Sequence, residues 1–218
     1  MNTVPGQSVR ARQPRADGER TRAAILRAAA SLATVDGLEG LSIGHLASAI
    51  GMSKSGLYAH FGSKLELQLA TVQEASRIFA EEVVEPALAA PPGVSQLVAL
   101  CEAFFEHLQR RTFPGGCFFV GVALEMSTRP GPVKEAIVEF QTGFAGLIKG
   151  FAATAIARGE LPARENPDQL AFELNGIIVA ANTNFVLHDN PAVLDMARQI
   201  VYRRLGVSSS TRAGTPAV

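Results

Sequence analysis

Residues 42–63 hold two apolar-striped segments of about eight residues each, joined by a glycine turn. Helices this short are marginal by themselves in water. They persist only when their apolar faces are packed, and that packing fixes the direction of whatever faces outward. In the first, Ser42 stands as N-cap before Ile43, Leu46, Ala47 and Ile50, the i, i+3, i+4, i+7 stripe of one buried face. Gly51 supplies a sharp turn, Met52 points inward, and Ser53 caps a second segment from Lys54 to about Phe61. There Leu57 and Phe61 fall on the buried side, and Lys54, Ser55, Tyr58 and His60 on the other.

The rest of the chain reads as helix too, with no alternating strand pattern and no Asn-Gly or Asp-Gly hairpin turn. A helix is expected from about Glu19 to Val35, ended by Asp36-Gly37. Ser63 caps a long one with Leu65, Leu69, Val72, Phe79 and Val83 as its core stripe, stopped by Pro86 and Pro91-Pro92. Further helices are expected from Gly93 through Leu108, over about Cys117–Ser127, from Val133 to about Arg158, over about Asp168–His188, and over about Pro191–Leu205. The fold class is therefore all-α, with about nine helices. Its expected parts are a flexible basic arm (1–18), a three-helix unit (19–64), a larger helical body (65–207) and a disordered Ser/Thr/Gly/Pro-rich tail (208–218).

Two cysteines cannot build a disulfide framework, no uninterrupted apolar run reaches the roughly 18 residues of a membrane helix, and the first 20 residues lack a signal-peptide core. A soluble cytoplasmic protein is expected, with no membrane partner. The four histidines show no metal-ligand spacing, and no phosphate loop, nucleophile elbow or zincin helix is present. Neither a catalytic site nor a metal or other cofactor is expected.

Short helix, glycine turn, short helix with polar outer positions is a helix-turn-helix pattern. Its second helix is the right width for the DNA major groove. The formal net charge is zero, but it is unevenly spread. Residues 1–64 carry eight Lys/Arg and four acids, a net +4, and residues 65–218 carry −4. A basic lobe on an acidic body is the electrostatic footprint of a DNA-binding module. The signal is modest, since Arg10, Arg12 and Arg15 of the arm supply three of those charges.

The run Gly51-Met52-Ser53-Lys54-Ser55-Gly56-Leu57-Tyr58-Ala59-His60-Phe61-Gly62-Ser63-Lys64 resembles the signature of the TetR family of transcriptional repressors. Upstream, Arg22, Ile25-Leu26, Ala28-Ala29, Leu32, Gly37, Ser42-Ile43 and Leu46-Ala47 match as well. The specific part covers about residues 20–67. The resemblance implies backbone contacts from Tyr58 and His60, phosphate contacts from Lys64 and Ser42, and base-edge contacts from Ser53, Lys54 and Ser55. It adds Arg22 to the DNA-binding set. Two departures stand out. Gly56 replaces the usual Thr or Ser, losing a hydroxyl and about 1 kcal/mol of helix propensity. Ala59 sits where a larger polar residue is common; its methyl suits a thymine methyl.

Ten of the twelve phenylalanines follow position 100. Ordinary core explains any one of them best. The resemblance tilts the set toward a pocket for a small apolar or aromatic inducer, with Phe104, Phe105, Phe119, Phe140, Phe144, Asn175 and Asn182 as its expected lining. It also implies a homodimer through the last two helices, where Ile177-Ile178-Val179-Ala180-Ala181 is apolar all round. Two-fold symmetry then matches a palindromic operator in double-stranded DNA. Cys117, at a helix start, reads as a small buried hydrophobe before a redox or electrophile sensor. A helical enzyme using the aromatic pocket and a protein-binding adaptor are the competing readings. Against the enzyme stand the polar outer face of residues 53–60 and the missing catalytic constellation.

Overall fold

The computed structural model describes residues 13–208, and every regular element among them is helical. In chain order these are α1 (Gln13–Asp36), α2 (Ile43–Ile50), α3 (Lys54–Phe61), α4 (Lys64–Phe79), a π turn (Ala80–Val84), α5 (Glu85–Ala89), α6 (Val94–Gln109), α7 (Phe118–Met126), α8 (Pro132–Ala157), α9 (Pro167–His188) and α10 (Ala192–Leu205). α4, the π turn and α5 run on without a break, so the described residues form nine rods.

Two expected boundaries move. α1 begins at Gln13, so residues 13–18 of the expected arm are helical; Arg10 and Arg12 lie outside the described residues. At the other end, all of the expected tail but Ser208 lies outside them. Pro86 does not stop the fourth helix. It sits in the first turn of α5, just after the π turn. Proline has no N–H to give and its ring clashes with the carbonyl four residues back; the wider π turn accommodates both defects. The expected core residue Leu65 is 43% exposed, and Leu67 and Ala70 are buried in its stead.

α2 and α3 are anchored as short helices must be. Ile43, Leu46 and Ala47 of α2 and Leu57 and Phe61 of α3 are buried in the same core as Ile25, Leu26 and Ala29 of α1. Gly51 adopts φ +68°, and the Met52 amide reaches back to the Ala47 carbonyl at 3.0 Å, closing a Schellman-type turn. α1 packs along α4 and against α7, so the three-helix unit is seated directly on the body. The seat is tight: a Cβ on Gly115, in the α6–α7 loop, would lie 1.9 Å from the Thr34 carbonyl oxygen of α1.

In the body, α8 packs on α9, α9 on α10, and α6 lies against α5, α8, α9 and α10. The π turn aims Glu82 at α6. Its Oε2 accepts from the Thr112 hydroxyl at 2.7 Å and lies 2.8 Å from Nδ1 of His107, which is 2% exposed. Burial lowers the His107 pKa even though Glu82 pulls the other way. Burial opposes the charge on Glu82 too, but its bonds to Thr112 and His107 win and hold its pKa below the ordinary value. α9 is long and apolar enough, by length and composition, to cross a membrane, with mean hydropathy 1.4 over its best window. Its apolar residues do not form one uninterrupted run, because Glu173, Asn175, Asn182 and Asn184 break it. Here α9 is packed among α6, α8 and α10.

Two outcomes follow. Gly115→Ala must push α1 off the body, and a loss of about 2–3 kcal/mol is expected in denaturant unfolding, as for other overpacked sites. For His107, the unfolded chain binds a proton below about pH 6.5 that the folded chain refuses. Stability is therefore expected to fall as pH drops below that value, and again below about 4.5 as carboxylates such as Glu82 protonate. In thermal melts, His107→Gln should remove the first loss and leave the second.

Candidate nucleic-acid interface and aromatic cavity

α3 presents its outer face because its inner one is fully used. Leu57 and Phe61 are 0% and 2% exposed, while Lys54, Ser55, Tyr58 and Ala59 are all exposed, Tyr58 at 55%. These four share the outward side of one short helix, with donors and acceptors available to a groove. Lys54 lies across α2: a Cβ on Gly44 would meet its Cε at 3.2 Å, so glycine there lets the lysine stem lie flat.

The other expected contact residues already have partners. Ser42 caps α2, accepting from the His45 amide at 3.1 Å, and Ser53 caps α3, accepting from the Gly56 amide at 3.1 Å. The Ser53 hydroxyl is also 3.3 Å from that of Ser55. Arg22 of α1 donates to the His60 carbonyl at 2.7 Å and stacks over the Phe61 ring at 4.5 Å. It thereby ties α1 to the C-terminal end of α3, where a cation is favoured by the helix dipole. His60 itself is half-buried, its ring 6.0 Å from that of Phe61. Lys64 Nζ donates to the carbonyl and to Oε1 of Glu39, at 2.6 and 2.8 Å. That lysine holds the Glu39 carboxyl below its ordinary pKa. Glu39 is the functional neighbour that sequence reading missed: it lies 25 residues from Lys64, and nothing in the local pattern joins them.

In the body, Phe79 is the hub of an aromatic cluster. Its ring stands edge-on to Phe119, Phe140 and Phe144, with centroids 6.2, 5.1 and 5.3 Å away. Phe119 and Phe140 stack on each other. Beside them is a cavity of about 130 Å³. Of the expected lining residues, Phe104, Phe119, Phe140, Phe144 and Asn175 border it. Phe105 and Asn182 do not. Phe105 faces Arg198 in a cation–π contact, and Asn182 spends its side-chain oxygen on the Cys117 amide at 2.7 Å. The lining also includes Phe79, expected on a helix core stripe, and Gln141, which the sequence pattern does not single out. Cys117 borders the cavity, but burial pushes its thiol up to about 11, and that of Cys101 to about 12. Burial of both thiols fits the reading of Cys117 as a small buried hydrophobe.

α9 and α10 leave an open apolar groove of about 570 Å³ between them, bordered by Ile177, Ala180, Val193, Met196 and Ile200 and closed at its rim by Glu173 and Arg204.

Helical unit, outward recognition face and separate helical body together define a DNA-binding regulator of the helix-turn-helix class. The family described as "Bacterial regulatory proteins, tetR family" matches residues 25–71, and "Tetracyclin repressor-like, C-terminal domain" matches residues 93–201. The chain belongs to the TetR family of transcriptional regulators. No curated protein sequence matches it. Among solved structures, a TetR transcriptional regulator from Chloroflexus aurantiacus J-10-FL is 25% identical with TM-score 0.81, covering 88% of this chain and 96% of that one. A TetR-family transcriptional regulator from Streptomyces coelicolor is 19% identical with TM-score 0.73, covering 87% and 95%. AibR, solved in complex with isovaleryl coenzyme A and operator DNA, is 22% identical with TM-score 0.67, covering 84% and 97%.

The split between exposed and partnered residues gives a test. Lys54→Ala should cost about 1–3 kcal/mol of affinity for the preferred duplex, relax the base preference it reads, and leave thermal stability unchanged. Ser53→Ala should cost about 1 kcal/mol of stability through the lost cap. Fluorescence anisotropy and thermal melts separate the two.

Proposed function

We propose that this regulator is a ligand-responsive repressor that binds a palindromic operator as a homodimer in the cytoplasm and is released by a small, neutral, aromatic or otherwise apolar molecule. The observation that carries the DNA half is the Lys54–Ser55–Tyr58 face of α3, held outward by buried Leu57 and Phe61. Lys64, Tyr58 and His60 meet the DNA backbone, with Ser42 and Arg22 in support. Ser53, Lys54 and Ser55 face the base edges. Lys64 must exchange Glu39 for a phosphate, one charge-assisted bond for another.

The aromatic cavity supports the ligand half. Its volume of about 130 Å³ is close to that of an apolar cavity known to take benzene. Its wall carries no charged side chain, and Gln141 and Asn175 are there to orient one polar group. AibR binds a coenzyme A thioester and DNA on this fold, so the architecture accommodates both kinds of partner. The groove between α9 and α10, flanked by exposed Met196 and Ile200, supports a second copy as its cover. Ligand and operator then oppose each other through a coupling free energy, typically about 1–3 kcal/mol.

Selection from random duplex DNA is the direct test. It should return a palindrome whose half-sites repeat about one helical turn apart or more. Ile200→Glu should yield monomers in sedimentation and lose the palindrome. Absence of enrichment by the wild-type protein at moderate salt would contradict the DNA-binding reading.

A further inference from the structure

α7 works on two sides. Phe119, Val120, Ala123 and Leu124 border the aromatic cavity. Glu125, the next residue, reaches the loop between α1 and α2 instead. Its Oε2 accepts from the Leu38 amide at 2.7 Å and its Oε1 from the Glu39 amide at 2.8 Å. One carboxylate thus takes two successive backbone N–H groups, a charge-assisted fork that fixes the loop in direction as well as distance.

The loop is shaped to receive it. Gly37 has φ +80°, which favours glycine, and a Cβ there would lie 2.9 Å from Glu125 Oε1 and press on the fork. The same two loop residues face the DNA-binding unit. Gln68 of α4 donates to the Leu38 carbonyl at 2.8 Å in a buried bond. The Glu39 carbonyl and carboxylate together hold Lys64 Nζ. A series of polar contacts therefore runs from Glu125, the residue after cavity-bordering Leu124, through the Leu38–Glu39 loop to Lys64, at the foot of α3.

We propose that Glu125 is a positioning residue for DNA binding: by fixing the Leu38–Glu39 loop it sets where Lys64 stands relative to the α3 face. This rests on the DNA-binding reading above. Glu125 touches no DNA. It acts through Glu39. A tie that only stabilised the seat of α1 would lower the melting temperature and leave affinity among folded molecules unchanged.

The experiment uses the full chain and a duplex selected by the wild type, with affinity measured across salt for the wild type, Glu125→Ala, Glu125→Gln, Lys64→Ala and the Ala/Ala double variant. Each is measured at a temperature where circular dichroism shows it folded. Glu125→Ala should weaken binding about fivefold, no more than Lys64→Ala does, and Glu125→Gln, which keeps one acceptor oxygen, by less. Lys64→Ala should cost about fivefold or more in the wild type and under about twofold beside Glu125→Ala, the non-additivity expected of one network. A lower melting temperature with unchanged affinity for Glu125→Ala, or losses that simply multiply, would overturn the proposal. Should the wild type bind and Lys64→Ala weaken it while Glu125→Ala does not, Glu125 alone loses its role. Should the wild type select no duplex, the DNA-binding reading fails and takes this proposal with it.

Discussion

The DNA-facing surface depends on the packing of two helices that cannot stand alone. α2 and α3 are eight residues each, well below the length at which an isolated helix holds in water. Their direction is set by a few fully buried side chains, Leu46, Leu57 and Phe61 above all. These pack in one core with α1, and α1 lies along α4 and α7. The recognition face has no orientation of its own. It takes one from the helices it packs on.

Electrostatics follow the same division. Lys54 and Tyr58 stand exposed on α3, while Lys64 and Arg22 are held by Glu39 and by the His60 carbonyl. On the proposed reading the second pair are preset for the DNA backbone. A lysine fixed near a helix N-terminus loses less side-chain freedom when a phosphate replaces its partner. The acidic body carries a net −4 over residues 65–218. That charge disfavours any docking other than through the N-terminal unit.

Much of this was legible in the sequence. The Ser42, Ser53 and Ser63 caps, the Gly51 turn and the Leu57/Phe61 anchors are local patterns, and all appear where the spacing predicts. The family follows from the same run. What the sequence hides is tertiary. Pro86 reads as a helix stop because no pattern announces the π turn that accommodates it. Phe79 reads as helix stripe, and only the approach of α7 and α8 makes it the cavity hub. Phe105 and Asn182 were expected at the cavity, but Arg198 and the Cys117 amide claim them. The Glu125 fork is the least legible feature. Its partners are backbone amides 86 and 87 residues away, and a backbone donor leaves no trace in residue type.

The central claim is that α3 is the groove-reading element of a two-fold assembly and that Lys64 changes partner on binding. A crystal structure of the protein with its selected duplex tests it most directly. The account predicts two α3 helices in successive major-groove turns of one DNA face, about 34–36 Å apart or a multiple of it, with each Lys64 moved from Glu39 to a phosphate. A complex in which α3 lies outside the groove, with Lys64 still on Glu39, would contradict it.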